Sequence, residues 1–594
     1  MKASPPWTKS LVISALAIFA PLSLLFFNTD TGFTSDWYNS LWMTGYFAKF
    51  FSTHGSFPQV LNTKDFVGIV YPQLYGHVLY PVLGVLGALV RPNIALRLFA
   101  VLIYSLQFIF VYKAAFAQSK DKITSALVST VLLWSIYPMS NLYSRSALPE
   151  FFAFSLLLCC VSCWYIIVAT SNKADRWRWG FYFATLFALM GGTHAITAFY
   201  GSISLLVAIC GTVIAGKLKK EDRLQIFGIL VFSGILFLLV LSPWLVALSE
   251  LAKWPNMTMI PKIITYFDGI DHWWVRLFPL PLDYRTFMLG ESTPTTHLDA
   301  QVSVPLLILL LSAFWRTKIT LKHKLWRDRN FWLAAVNFAL ALLTLYASLS
   351  PTLESIAPLF FRNFQIAYRM VNYVNLFWFV ALLVLMTPVP LSKREELLRV
   401  GVLTLAGCAL ILKLLHGSVI WNEAHKFAYS RFRQNNNEKL VTIPKSFYST
   451  QFYATMHLRQ LTNENMVGMR TIAFPVDSGD NFGEVEPVIG DFTKEYWILT
   501  NVYSFEWNKV FIDGVEVIGG ELASISNKLA IHTTKNGMAR ITYKQEPPTL
   551  WKVLNIMSRI AFGLCALISI LLALGQSLNF QFARLKSIVV PGRN

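Results

Sequence analysis

Twelve apolar runs, joined mostly by short connections that alternate between Lys/Arg-rich and Lys/Arg-poor, constrain this chain more than any other feature. The runs are Leu11–Phe27, Ile94–Tyr112, Ile123–Tyr143, Phe151–Ala169, Trp179–Gly192, Ile196–Ala215, Gln225–Leu248, Val302–Phe314, Phe331–Leu349, Val371–Met386, Arg399–Leu415 and Val553–Leu574. An α-helix crosses a bilayer core of ~30 Å with ~20 apolar residues, so the sequence predicts a helical bundle in a membrane. Only 14% of residues are charged and 55% are hydrophobic, against roughly 25% charged in a soluble domain. The 594 residues leave room for about a dozen spans and one soluble domain.

The first run follows Lys2 and Lys9 but is followed by Asn28-Thr-Asp-Thr with no small-residue cleavage pattern. It reads as a retained anchor rather than a signal peptide. All six cysteines lie inside apolar runs and read as small packing residues, with no disulfide framework.

The net charge of +19 would suit nucleic acid, but its placement points to topology instead. Basic connections are Met1–Ser10, Lys113–Lys122, Lys173–Arg178, Lys217–Arg223, Arg316–Arg329, Lys393–Arg399 and the tail Arg584–Arg593. The intervening connections hold Arg145, then no basic residue around His194, then Arg362 and Arg369. The positive-inside rule puts the basic set in the cytoplasm, with both termini inside a plasma (inner) membrane. That alternation requires Tyr75–Val90, short and interrupted by Gly84 and Gly87 between Pro81 and Pro92, to be re-entrant or interfacial. A full extra span is the competing reading.

The expected fold is therefore a polytopic α-helical membrane protein of about twelve spans, with an extracytoplasmic β-sandwich-like domain before the last span. Residues 1–415 form the membrane module, with outer loops 28–93 and 249–301. Residues 416–550 are the β-rich domain, and 551–594 the final helix and basic tail. The β-domain reading rests on Arg470–Val476, Tyr496–Val502, Val510–Ile518 with its Asp513-Gly514 turn, and Ala530–Thr533 paired with Ala539–Tyr543 across Lys535-Asn-Gly537.

The phosphate-binding loop, dinucleotide-binding glycine pattern, HExxH, nucleophile elbow and CxxC pairs are absent from the sequence. What remains is a set of ionisable residues on the outer side: Asp30 and Asp36 in the first loop, Arg145 and Glu150 in Tyr143-Ser-Arg-Ser-Ala-Leu-Pro-Glu150, and His194 in Gly191-Gly-Thr-His. To these add Lys262 and His272 in an aromatic outer loop, and Tyr368 and Arg369 before the tenth run. Each has a plainer reading. Asp36 suits a solvated loop acid or a helix cap, Arg145 and Glu150 suit an ion pair with each other, His194 a hydrogen-bonded turn, and Arg369 a snorkelling side chain. Ionisable groups at membrane depth nonetheless usually mark sites. Arginines with carboxylates suit a phosphate-bearing lipid and a hydroxyl that must lose a proton.

The first-loop acid, Tyr75-Gly-His77-Val-Leu-Tyr80-Pro and Tyr143-Ser-Arg-Ser-Ala-Leu-Pro-Glu150 resemble the YfhO-like group of large bacterial membrane proteins. A related group carries the label 6-pyruvoyl-tetrahydropterin-synthase-related membrane domain, which implies no pterin chemistry. Both look like members of the GT-C superfamily of membrane glycosyltransferases. Phe364-Gln-Ile-Ala-Tyr-Arg369 looks like that group's aromatic-Arg segment, and Phe505-Glu-Trp-Asn-Lys-Val-Phe-Ile-Asp513-Gly514 like a strand of its outer domain. Asn39 stands where the group has a histidine shortly after the loop acid, and Glu506-Trp-Asn replaces its Pro-Gly-Trp.

The resemblance implies a transferase that takes a sugar from a polyprenyl-phosphate donor to a glycan or lipid acceptor on the outer face, with no nucleic acid partner. Asp36 would be the catalytic base or an acid beside a divalent metal, which no ligand spacing demands. Arg145 and Arg369 would hold the lipid phosphate, and His77, Glu150, His194, Lys262, His272 and Tyr368 would line the pocket. A flippase for a lipid-linked sugar and a non-catalytic envelope scaffold are the rival classes.

Overall fold

The computed structural model describes residues 6–27, 35–62, 67–216, 218, 220–252, 301–350, 367–386, 393–435, 459–460, 470–475, 485–491, 497–525, 528–532 and 537–589. It is mostly helical. α1 (Pro6–Phe19) stops just before Pro21, and a 3-10 turn, Ser23–Phe26, carries the chain onward. α2 (Ser35–His54) packs on α4 (Leu79–Leu89), with the single-turn α3 (Tyr71–Leu74) between them in sequence. Next come α5 (Pro92–Ser119), α6 (Lys122–Leu133), α7 (Ile136–Tyr143), α8 (Leu148–Ala169), α9 (Lys173–Gly191), α10 (Ala195–Ile214) and α11 (Arg223–Ala252). The membrane module closes with α12 (Val304–Leu321), α13 (Arg329–Ala347), α14 (Val371–Leu385) and α15 (Lys393–Asn435), and α16 (Thr549–Val589) follows the strands.

Local chemistry sets these boundaries. α5 opens on Pro92, whose missing N–H falls where no helical partner exists, and ends on Lys120 at φ 55. The Asp121 carboxylate then accepts from the N–H groups of Ile123 and Thr124 and starts α6. Asn172 caps α9 and Asp328 caps α13 in the same way.

Every predicted run falls on helix, but not every helix is a full span. Among the described residues eight helices are long and apolar enough to cross a membrane, or nine if α6 and α7, bent by 42° at their junction, count as one. This is a multi-pass membrane protein. α1, α9 and α14 fall short of the twelve expected: α1 has 14 residues, α14 has 15, and α9 opens on Lys173, Asp175, Arg176 and Arg178. At 11 residues α4 reaches only about 16 Å, too short for a crossing. The expected boundary at 415/416 lies inside α15, which runs on to Asn435. His416, Gly417 and Ser418 end the apolar run without ending the helix.

α8 and α14 are buried along nearly their whole length and form the centre of the bundle. On the periphery Leu206, Leu224, Phe227, Ile560 and Leu571 face outward. Such apolar surface suits lipid, which solvates it without penalty.

The strands form two sheets. β1 (Arg459–Gln460), β2 (Arg470–Ile472), β4 (Ile498–Tyr503), β7 (Leu522–Ile525) and β8 (Lys528–Ile531) make one, in the order β1-β7-β8-β4-β2. β3 (Val488–Asp491), β5 (Asn508–Ile512), β6 (Val515–Glu516) and β9 (Met538–Gln545) make the other, in the order β3-β9-β5-β6. The predicted Asp513-Gly514 turn joins β5 to β6, with both residues at positive φ. The predicted hairpin across Lys535-Asn-Gly537 does not form: β8 pairs with β4 and β7, and β9 with β3 and β5. Leu529 and Ile531 of β8 meet Ala539 and Ile541 of β9 across the shared core instead. The alternation was read correctly, but it pairs through the sandwich rather than along a sheet.

The first loop is part of this sandwich. Val67 is buried in its core, its N–H donates to Asn501 O at 2.8 Å, and Tyr503 N–H donates back to Val67 O at 2.7 Å. Asn508 Nδ2 donates to Gly68 O at 2.7 Å. Below, Phe505, Trp507 and Trp551 join the core of the helical bundle, so the β-domain sits directly on the membrane module.

Candidate functional site

The break between α6 and α7 builds the site. α7 and the turn after it present Tyr137, Asn141 and Arg145 at steps of four residues, one face of a helical path. All three reach Glu150, an acid in the first turn of α8 where the helix dipole favours negative charge. Tyr137 OH and Asn141 Nδ2 donate to Glu150 Oε1, each at 3.1 Å. Arg145 Nη1 donates to Oε2 at 2.6 Å, and Arg369 Nε approaches the same oxygen at 3.0 Å. Ser146, between the two partners, sits at φ 54, a conformation uncommon for a non-glycine residue, and so turns Arg145 back toward α8.

Glu150 is 3% exposed and Arg369 7%. A carboxylate this deep is tolerated because four polar groups meet it. One acid shared by two arginines also leaves one positive charge in excess.

Asp36 lies within reach of this charge. It occupies the first turn of α2, half-buried, and Asn39 Nδ2 donates to its Oδ1 at 3.3 Å. The next residue, Trp37, is fully buried, donates to Asn93 Oδ1 at 3.1 Å, and lies 5.1 Å below the Arg97 guanidinium. That anchor fixes where Asp36 points. Burial raises the Asp36 carboxyl above the ordinary value of 3.8, while Arg145 and Arg369 pull it down and Glu150 adds to the rise.

His194 closes another side. It caps α10: its Nδ1 accepts from Thr197 N–H at 3.3 Å and meets Thr197 Oγ1 at 2.9 Å. An accepting Nδ1 leaves the proton on Nε2. Burial keeps this ring neutral, with its pKa pushed down to about 3. The Tyr75 ring stands edge-on to His194, 5.8 Å away at 86°.

The structure thus brings together Asp36, Arg145, Glu150, His194 and Arg369 of the predicted set. His77 is not among them. Gly76, at φ +62, swings the chain so that His77 Nε2 bonds Val240 O at 3.0 Å on α11, a carbonyl that also accepts from Ser558 Oγ. His77 is a packing contact between helices. Tyr368 lies on the 3-10 turn Ala367–Met370 beside Arg369, and Lys262 and His272 lie outside the described residues, as does Asp30.

Three participants were missed. Tyr137 and Asn141 were legible as the i−8 and i−4 companions of Arg145. Tyr75 stands two residues before the histidine chosen in its place. A fourth group stands nearby: Lys413, 2% exposed in α15, donates to Ser144 Oγ at 2.5 Å, next to Arg145 in sequence. A lysine inside an apolar run is itself the signal that would have found it.

The described donors do not make a metal centre. Among the described residues no three of His, Cys, Asp and Glu gather, and Glu150 is engaged by three hydrogen-bond donors and by the Arg369 guanidinium. A separate cleft lined by Asp121, Arg316, Glu395 and Arg399 lies about 33 Å along α5 from Arg97, and its two ion pairs close on each other.

No protein-family model matches this chain, and no curated protein is significantly similar to it.

Proposed function

We propose that this protein is a membrane glycosyltransferase of the GT-C type that uses a polyprenyl-phosphate sugar on the extracytoplasmic face. The observation that carries the reading is the placing of the half-buried Asp36 carboxyl beside the Arg145–Glu150–Arg369 cluster, at the end of the bundle that bears the β-domain. Guanidinium forks bind phosphate oxygens with charge-assisted hydrogen bonds. The two guanidinium groups suit the phosphate of an anionic lipid, and Asp36 suits an approaching hydroxyl.

In the reaction the acceptor hydroxyl gives its proton to Asp36 as its oxygen bonds the sugar C1. The C1–O bond to the phosphate breaks, and the leaving polyprenyl phosphate keeps the electron pair between the two arginines. The twelve-span arrangement with both termini in the cytoplasm belongs to this reading, and so does the outward β-domain, which would take the glycan or lipid acceptor.

One observation favours a flippase: the broken α6–α7 pair puts Tyr137 and Asn141 at a helix break, a device transporters use. Transporters of that kind carry matched breaks in two halves, and among the described residues only this pair is bent in this way. Purified protein incubated with polyprenyl-phosphate sugars separates the two. Donor consumption with release of polyprenyl phosphate supports the transferase, and movement of intact donor between leaflets without consumption defeats it.

A further inference from the structure

Three tyrosines lie within ten residues of the first loop and α4. Tyr71 is 8% exposed and Tyr80 2%, while Tyr75 between them is only partly buried. Its ring is fixed on both sides, tilted against Tyr71 at 5.2 Å and edge-on to His194 at 5.8 Å. Its backbone N–H donates to Tyr71 O at 3.0 Å. The hydroxyl forms no hydrogen bond among the described residues. The side chain is thus held rigidly while its one polar atom is left open.

The surroundings of that atom are the charges of the site. Burial acts on it most strongly, and of the charges Arg369 comes first, followed by Asp36, Arg145 and Glu150. Burial holds the phenol proton well above the usual range, so the group is a donor at any working pH.

We propose that Tyr75 is a substrate-positioning residue of the same site, whose hydroxyl donates to a phosphate oxygen of the lipid-linked donor held by Arg369 and Arg145. The inference rests on the transferase reading, because it takes the phosphate from there. It assigns to Tyr75 the role that the sequence gave to His77. A neutral donor on a rigid ring adds a directed bond to a phosphate at the arginines without adding charge.

The test uses full-length protein in lipid nanodiscs and binding of polyprenyl monophosphate, with polyprenol as the phosphate-free control. Tyr75→Phe keeps the ring contacts with Tyr71 and His194, so it should unfold at the wild-type temperature. It should bind polyprenyl monophosphate about tenfold more weakly, as expected for a lost hydrogen bond to a charged group, and bind polyprenol as wild type does. In turnover the donor KM should rise by about as much, with kcat within about a factor of three. Wild-type affinity for polyprenyl monophosphate in Tyr75→Phe overturns the proposal and leaves the transferase reading standing. An equal loss for polyprenol overturns it too, because the effect would then be packing. If the wild-type protein itself fails to prefer the phosphate lipid, the transferase reading falls and this inference falls with it.

Discussion

Arg369 Nε stands 3.0 Å from Glu150 Oε2, the same oxygen that Arg145 holds at 2.6 Å. Two cations on one buried oxygen repel each other, and only the carboxylate makes the arrangement stable. Glu150→Gln keeps the shape and the hydrogen-bonding reach toward Tyr137 and Asn141 but leaves both guanidinium groups without their anion. Breaking a buried pair from one side costs ~3–5 kcal/mol, so this variant should unfold markedly earlier in a thermal scan of the detergent-solubilised protein. Excess polyprenyl phosphate should restore part of the loss, because an added anion replaces the missing one. Unchanged unfolding would mean that the ion pairs contribute nothing net.

Lys413 offers a cleaner separation of stability from binding. Its ammonium is buried in α15 with Ser144 Oγ as a partner at 2.5 Å. A buried ammonium carries a desolvation cost that a methionine side chain does not, so Lys413→Met should keep or raise the unfolding temperature. It should also weaken binding of polyprenyl phosphate severalfold, since a positive charge near Arg145 is lost. Unaltered affinity in a folded Lys413→Met protein would confine this lysine to packing.

Gly68 tests the joint between the first loop and the β-domain. It sits at φ +77, and an added Cβ would stand 2.5 Å from the Tyr543 hydroxyl and 2.6 Å from Asn508 Nδ2. Asn508 in turn ties Gly68 O, Tyr503 O and the Tyr543 hydroxyl together. Gly68→Ala should therefore loosen the clamp and speed protease cleavage of the β-domain, and Asn508→Ala should cost ~1–3 kcal/mol. The same joint requires the first loop and the β-domain to share one side of the membrane. Topology reporters within Ser418–Pro548 should read extracytoplasmic, and reporters after Lys220 or Arg327 cytoplasmic. The same reading at all of them would break the arrangement.

Helix positions were legible because apolar runs report burial in lipid or in the bundle, and both ask for the same residues. That ambiguity also touches the span count: Val371–Leu385, like Leu148–Ala169, is enclosed by protein along nearly its whole length, so its apolarity reports burial in the bundle as much as depth in the membrane. The end of α15 was invisible for the converse reason, since helix continues where apolarity stops. Asp36, Arg145, Glu150, His194 and Arg369 were found by sharing one end of the bundle, which charge pattern alone conveys. Which member of Tyr75-Gly-His77 faces them depends on one backbone dihedral at Gly76, and no spacing rule encodes that. The partners of β8 and β9 were missed because alternation marks an inner face without saying which sheet owns it.

Asp36 carries the most exposed claim, and pH and substitution test it together. Burial raises its pKa above the ordinary carboxylate value of 3.8, so the folded state binds this proton more tightly than the unfolded chain does. The sign follows: Asp36 lowers stability as pH rises from the unfolded value through the raised folded one, and the deficit persists above it. Asp36→Asn removes that deficit and should unfold at the same temperature as wild type or higher at neutral pH. A base must be ionised, so the acid limb of the wild-type rate profile should fall above the usual carboxylate range. Arg145→Ala removes a charge that pulls the Asp36 pKa down and should move that limb to still higher pH. Loss of a general base costs ~10²–10⁴ in rate, so Asp36→Asn should fold, bind donor and fail to transfer sugar. A turnover above about a tenth of wild type in that variant lies outside what loss of a base allows, and would remove Asp36 from the mechanism.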